Sequence, residues 1–318
     1  MSSNPLIIGL PSKGRLKEQV EVWLADSGLA LSASGGARGY IGEIKGLDGA
    51  QVRLLSAGDI AQALDAGEVH LGVTGEDLLR EQPGEIDARV LLLRALGFGR
   101  ADLVVAVPRS WVDVDQMADL EDVAHDVLAR TGRRLRVATK YLQQTRAFFA
   151  RHGVADYRIA ESGGATEGAP AAGTAELVVD ITTTGATLEA NGLKILDDGV
   201  ILKSQAQLVA SLRAVWSPEQ MVVAERLLRL VEARATAHAT ATLIWPGSEA
   251  DAVLIGEFEG QGAVRRPNGL LVPAGSIAAM SLRLTSQGRG PVTASRPDFV
   301  FDSTCAAFEE LASRRDKN

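Results

Sequence analysis

The chain has 318 residues, of which 46% are hydrophobic and 23% charged, so it is long enough for two or three cores and is neither disordered nor fibrous in composition. A net charge of −7 argues against DNA or RNA as the main partner. A single cysteine, Cys305, excludes an intrachain disulfide and a cysteine-based zinc site, as expected in a reducing compartment.

The opening "MSSNPLIIGLPSKGRLKE" has a short apolar run with its lysine and arginine after it, which is the wrong order for a signal peptide. No 18-residue apolar stretch occurs, and a cytoplasmic protein without a membrane partner is expected. "PLIIGLP" reads as a strand, and "KEQVEVWLADSGL" as a helix with Val20, Trp23 and Leu24 on one face and a stop at Gly28. "QVRLLSA" with "DIAQALDAG", then "VHLGVTG" with "EDLLREQ", repeat that unit, which predicts an α/β layer with a mostly parallel sheet.

"RADLVVAVP" opens a second block that continues through a helix, "MADLEDVAHDVLARTG", to the strand "RLRVATK" and the helix "YLQQTRAFFARHG". The strands "DYRIAES" and "ELVVDIT" follow. The expected division is a first α/β domain from residues 1–100 and 179–233, with a second from 101–178 inserted in it. The helix "SPEQMVVAERLLRLVEARATA" has a serine and proline start, and the catalytic portion is expected to end with it near Ala233. In 234–318, "ATATLIWP", "AVLIGEF", "GLLVPAG" and "SLRLTS" are strand-like and precede a last helix, "TCAAFEELASRR", giving a β-rich or α+β unit.

Chemistry concentrates in "DITTTGATLEANG", residues 180 to 192. A strand that runs into a turn of small residues exposes backbone N–H groups and hydroxyls where open α/β sheets bind ligands. A helix starting at "ATLEANG" adds a positive dipole end, so the turn suits a phosphate. Thr183, Thr184 and Thr187 offer hydroxyls, and Gly185 permits close backbone approach. Asp180 would repel a bare phosphate and therefore needs another task, such as sugar hydroxyls or Mg²⁺ at a phosphorylated ribose. The plain alternative is a Thr/Gly turn that only caps a helix.

"VVDITTTGATLEANGL" resembles the phosphoribosyl-pyrophosphate loop of the ATP phosphoribosyltransferase family, which opens histidine biosynthesis. "LPSKGRL", "LGVTGEDLL", "ADLVVAVP", "RVATKY" and "ATEGAPAAG" agree with that family in the same order, over residues 5 to about 230. The resemblance implies two α/β domains of periplasmic-binding-protein type around a cleft. It also implies Mg²⁺-dependent joining of N1 of ATP to C1 of phosphoribosyl pyrophosphate, with loss of pyrophosphate.

Carried over residue by residue, Thr183, Thr184, Gly185, Ala186 and Thr187 resemble the 5-phosphate cradle, and Asp180 and Glu167 are candidates for the ribose hydroxyls. Lys13 and Arg15 suit the departing pyrophosphate, with Mg²⁺ held mainly by that group. Lys140, Tyr141 and Asp77 are candidate nucleotide contacts. Against these stand solvated cations for Lys13, Arg15 and Lys140, a surface loop for Glu167, and helix capping for Asp77 and Thr74.

His70 occupies a position where the family often has aspartate, and "SAGDIAQ" lacks the arginine and proline often found there. These features resemble the compact subgroup of the family, which pairs with a regulatory subunit like histidyl-tRNA synthetase. The longer subgroup carries a histidine-binding ferredoxin-like domain, whose pattern the tail is not expected to match. A homo-oligomer, with a regulatory or assembly role for the tail, is expected. The competing functional readings are a phosphoribosyltransferase for another acceptor and a solute-binding protein of the same fold.

Overall fold

A computed structural model describes residues 4–33, 41–247 and 251–315. The first sheet is built from β1 (Leu6–Pro11), β2 (Ala30–Ala33), β3 (Ile41–Lys45), β4 (Ala50–Leu55), β5 (Leu71–Gly75) and β6 (Val90–Ala95), with helices α1 (Gly14–Asp26), α2 (Ala57–Ala66) and α3 (Glu76–Glu81) between them. The chain then forms the second sheet from β7 (Ala101–Pro108), β8 (Leu135–Thr139), β9 (Tyr157–Glu161), β10 (Leu177–Thr182) and β11 (Leu193–Ser204), with α4 (Met117–Thr131), α5 (Leu142–Arg151) and α6 (Ala186–Ala190). It returns through β12 (Ala206–Ser211) and α7 (Pro218–Ala239).

The first sheet has the order β2-β3-β4-β1-β5-β12-β6, with β4, β1 and β5 parallel at its centre. Its margins are antiparallel, which the reading of a mostly parallel sheet did not anticipate. The reason lies in the connections: β6 leads out to the second lobe and β12 leads back, so the two run in opposite directions side by side. Leu6, Ile8 and Leu10 of β1 share one face and are fully buried, and Ile7 packs against a second cluster on the other face, as a central strand covered on both sides requires. The turn after α2 needs Gly67, at φ 73°, because a Cβ there would lie 2.7 Å from the Arg213 carbonyl oxygen.

The second sheet has the order β11-β7-β10-β8-β9. Segment order suggested a return to the first sheet at residue 179, but β10 pairs antiparallel with β7 from Val178 to Thr182, and β11 covers the other edge of β7. The chain therefore recrosses between Ser204 and Ala206, and the Thr-rich turn belongs to the second lobe. The result is a two-lobed α/β body joined by two crossings.

The tail contains β13 (Thr240–Ile244), α8 (Ala252–Glu259), β14 (Val264–Arg266), β15 (Gly269–Pro273), α9 (Ile277–Ser286) and β16 (Thr293–Ser295), followed by α10 (Ala306–Arg315). "AVLIGEF" and "SLRLTS", expected as strands, are helices: Leu254 with Phe258, and Met280 with Leu284, are buried at i,i+4 spacing. Runs this short carry no decisive period, and tertiary burial chose the helix. With those two reassigned, the unit reads βαββαβ in the all-antiparallel order β14-β15-β13-β16, the split arrangement of ferredoxin-like domains that the strand-like pattern did not suggest.

Nor is 234–318 one unit. Helix α7 runs unbroken to Ala239, and α10 folds back so that Cys305, Ala307 and Leu311 join the core of the first lobe. Val300 N–H donates to the Ala233 carbonyl and Arg234 donates to the Asp298 carbonyl, which fastens the returning segment to α7. Cys305 is a buried small hydrophobe as expected; burial first, then Glu232 beside it, pushes its thiol up to about 11.

Candidate active site

The Thr-rich turn lies at the carboxyl end of β10, and its own side chains set its shape. Gly185 N–H donates to Thr182 Oγ1 at 2.8 Å, and Ala186 N–H to Thr184 Oγ1 at 3.4 Å. Gly185 stands at φ 78°, a conformation that favours glycine, and Glu189 N–H makes the first helical bond to its carbonyl. Hydroxyls that accept from the backbone keep their own protons to donate outward. Thr183, Thr184, Ala186 and Thr187 are exposed, although Thr183 Oγ1 donates to the Arg100 carbonyl at 3.1 Å.

Asp180 sits one strand from Lys140, since β10 and β8 run parallel with Val178 opposite Ala138. Its Oδ1 accepts from Ile181 N–H at 2.8 Å. Burial pushes its carboxyl above the usual range, opposed by the Ile181 amide and Lys140 and reinforced by Glu167. Glu167 follows Ala165, which holds φ 49° in the left-handed region where an L-residue is strained. Lys140 is exposed and lies 5.0 Å from the centroid of the Tyr141 ring. Asp180, Glu167 and Lys140 thus form one charged cluster beside the turn.

From the first lobe, Arg15 reaches this region. It shares a depression of about 400 Å³ with Phe98, Arg100 and Thr183. A second depression of the same size on the other side of Arg100 and Thr183 is lined by Asp102, Lys203 and Gln205. Lys13 stands at the N-cap of α1, exposed, and does not line either depression. Arg100 and Lys203 were not singled out from the sequence. The available signal was a cation directly after a Gly-Phe-Gly turn at the lobe crossing, in "GFGRADL".

Asp77 and Tyr141 are brought together, but buried against each other instead of facing open space. Tyr141 Oη donates to Asp77 Oδ2 at 2.7 Å and Ser204 Oγ to Asp77 Oδ1 at 2.8 Å, so both carboxylate oxygens are filled. Asp77 is 5% exposed and Tyr141 1%, which leaves the pair a joint between lobes and not a nucleotide contact in this conformation. Thr74, the other capping candidate, is buried and donates to the Ala57 carbonyl.

His70 is also structural. Its Nδ1 accepts from Ile7 N–H at 3.1 Å, which leaves Nε2 to carry the proton and donate to the Val215 carbonyl at 3.1 Å. Burial lowers its pKa below the ordinary 6.5, so the ring is neutral. Among the described residues no group of three or more His, Cys, Asp or Glu side chains is placed to hold a metal, and no helix is long and apolar enough to cross a membrane.

A two-lobed α/β fold with a Thr/Gly turn, a carboxylate pair and cations from both lobes at one cleft defines a class that handles a phosphorylated, hydroxyl-bearing ligand between its lobes. Residues 56–232 match the family model described as HisG, ATP phosphoribosyltransferase. The chain is 63% identical over 312 residues to an ATP phosphoribosyltransferase of Caulobacter vibrioides, covering 98% of each, and 50% identical over 318 residues to one of Bradyrhizobium diazoefficiens, covering 97% of this chain and 98% of that one. Among solved structures it resembles a chain of the ATP phosphoribosyl transferase (HisG:HisZ) complex from Thermotoga maritima, at 25% identity and a TM-score of 0.54, over 71% of this chain and 98% of that chain. The chain belongs to the ATP phosphoribosyltransferase family.

Proposed function

We propose that this protein transfers the phosphoribosyl group of phosphoribosyl pyrophosphate to N1 of ATP, giving phosphoribosyl-ATP and pyrophosphate in the first step of histidine biosynthesis. The observation that carries this reading is the junction at Thr183, where the Thr-rich turn of one lobe and Arg15 of the other line a single depression. A ligand with phosphates at both ends of a sugar would use both.

In this reading the exposed Thr184 and Thr187 hydroxyls, with the amides from Thr183 to Thr187 that are not bonded within the turn, hold the 5-phosphate, and Asp180 and Glu167 hold the ribose hydroxyls. The bond between C1 and the pyrophosphate oxygen breaks with its electron pair leaving on pyrophosphate, and the lone pair of adenine N1 forms the new bond from the opposite face. The two carboxylates favour the positive charge that develops on the ribose, while Arg15 and Lys13 favour the negative charge that leaves. Lys140 meets the nucleotide phosphates in this reading.

Mg²⁺ fits this donor set. Asp180 and Glu167 are hard oxygen donors whose mutual repulsion a cation would relieve, and a dication bound mainly through substrate oxygens needs no three-carboxylate cage. When bound, it would neutralise the departing pyrophosphate. The βαββαβ unit has a core of its own, which supports an assembly or regulatory role in a homo-oligomer or alongside a histidyl-tRNA-synthetase-like subunit.

The test is turnover: phosphoribosyl-ATP should form from ATP, phosphoribosyl pyrophosphate and Mg²⁺, with and without such a subunit. Turnover of a free base with none of ATP would favour another phosphoribosyltransferase. Ligand binding without any turnover would favour a solute-binding role.

A further inference from the structure

At the far end of the second lobe from the cleft, α4 ends and β8 and β9 begin. A depression of about 600 Å³ there is lined by Arg133, Arg134, Arg136, Arg158, Thr131 and Glu176. Four guanidinium groups around one hollow are unexpected in a chain of net charge −7.

The carboxylates nearby do not balance them. Both oxygens of Glu176 are taken by Arg136, through its N–H at 2.6 Å, Nη2 at 2.6 Å and Nε at 3.1 Å. Asp126 pairs with Arg130 and Asp156 faces His125. Among the described residues no carboxylate forms an ion pair with Arg133, Arg134 or Arg158. Arg136 and Arg158 are register partners on adjacent parallel strands, so like charges stand side by side. Cations at the end of α4 would offset its dipole, but that does not account for two arginines on strands.

We infer that this hollow binds an oligophosphate anion. Each guanidinium offers five N–H donors in a fixed fork suited to phosphate oxygens, and three unpaired forks spread around a hollow of about 600 Å³ give donors and room for more than one phosphate. Gly132, at φ 67°, turns the chain as α4 ends, and Arg133 N–H donates to Thr131 Oγ1, which fixes the approach of the two consecutive arginines. Among the described residues no aromatic side chain lines the hollow, so the phosphates are recognised and not a base. Five-residue strands separate it from Lys140 and Glu161, about 17 Å at 3.3 Å per residue, so its occupant does not compete for the cleft.

This inference does not rest on the reading of the cleft. Inorganic triphosphate, titrated calorimetrically into the full chain at low salt, should bind saturably in the wild type and in Thr184→Val. The Arg134→Gln/Arg158→Gln variant, which alters exposed side chains only, should lose at least about tenfold in affinity for that site. Cytidine triphosphate should bind no tighter than triphosphate itself. Equal binding by the double variant, failure to saturate, tighter binding of the nucleotide, or binding of heparin but not triphosphate would each overturn the inference.

Discussion

Tyr141 Oη donates a 2.7 Å hydrogen bond to Asp77 Oδ2, tying the start of α5 in one lobe to α3 in the other. The bond is part of a joint. Gln144 Nε2 donates to the Asp77 carbonyl, and the Glu81 carboxylate accepts from the Gln143 and Gln144 amides at the start of α5. Burial first, then the Asp77 charge, pushes the phenol well above its ordinary range, so it stays a donor at any pH the protein meets. The lobes are therefore held beside the cleft by a buried polar contact as well as by the two strand crossings.

Tyr141→Phe should leave one buried carboxylate oxygen without its donor and lower the unfolding free energy by about 1–3 kcal/mol. Urea denaturation measures this directly. An unchanged midpoint and slope would mean that water replaces the phenol at no cost and that the joint does not hold the lobes.

Stability should depend on pH through His70. Its folded pKa lies below the ordinary 6.5, so its contribution is complete above that value and is lost as pH falls from there toward the folded pKa, when the unfolded state takes up a proton the folded state refuses. Urea unfolding between pH 8 and 5 should show a steeper loss for the wild type than for His70→Gln. Parallel profiles would assign the acid sensitivity to other groups.

In the Thr-rich turn, Thr184→Val removes a hydroxyl at constant shape and should weaken phosphoribosyl pyrophosphate binding by about 1.5–3 kcal/mol, the cost of a hydrogen bond to a charged oxygen. Gly185→Ala meets little besides Ile195, 3.9 Å away, so its penalty comes from the backbone at φ 78°, about 1–2 kcal/mol. Calorimetry with both variants decides whether the turn holds the ligand. Unchanged affinity in each would reduce it to a helix cap.

The tail should divide in two under deletion. Truncation after Ala235 removes α10 and exposes the site where Leu311, fully buried, fills the first lobe's core; Leu311→Ala alone should cost about 2–5 kcal/mol. Replacing residues 240–296 by a short flexible linker should instead leave a folded body, because Val300 N–H already bonds to the Ala233 carbonyl and holds the two ends close. Circular dichroism melts of the two deletions should differ sharply. Equal stability would mean that α10 contributes little.

Much of the first 230 residues was legible in the sequence because each element carries its own punctuation. Ser56 and Gly67 bracket α2, the Ser217–Gln220 capping box with Pro218 opens α7, and the turn at Gly185 follows an apolar strand. Local chemistry of this kind is decided within a few residues. The Thr-rich turn and Asp180 could be named before any fold was known for the same reason, whereas Arg15 was named through the resemblance of "LPSKGRL" to the family.

What the sequence could not decide were relations between segments far apart in the chain. Whether Asp77 faces a ligand or Tyr141, 64 positions later, depends on the intervening chain folding so that α3 meets α5, and no local pattern encodes that distance. The helices α8 and α9 lie in apolar runs too short to show a period, so burial against the sheet of β13 and β15 chose their form. The place where β10 and β11 join the second sheet was likewise fixed by pairing with β7, a partner strand far earlier in the chain. Propensity and capping act along the chain, whereas lobe boundaries, filled carboxylates and shared depressions arise from burial, which only the assembled structure defines.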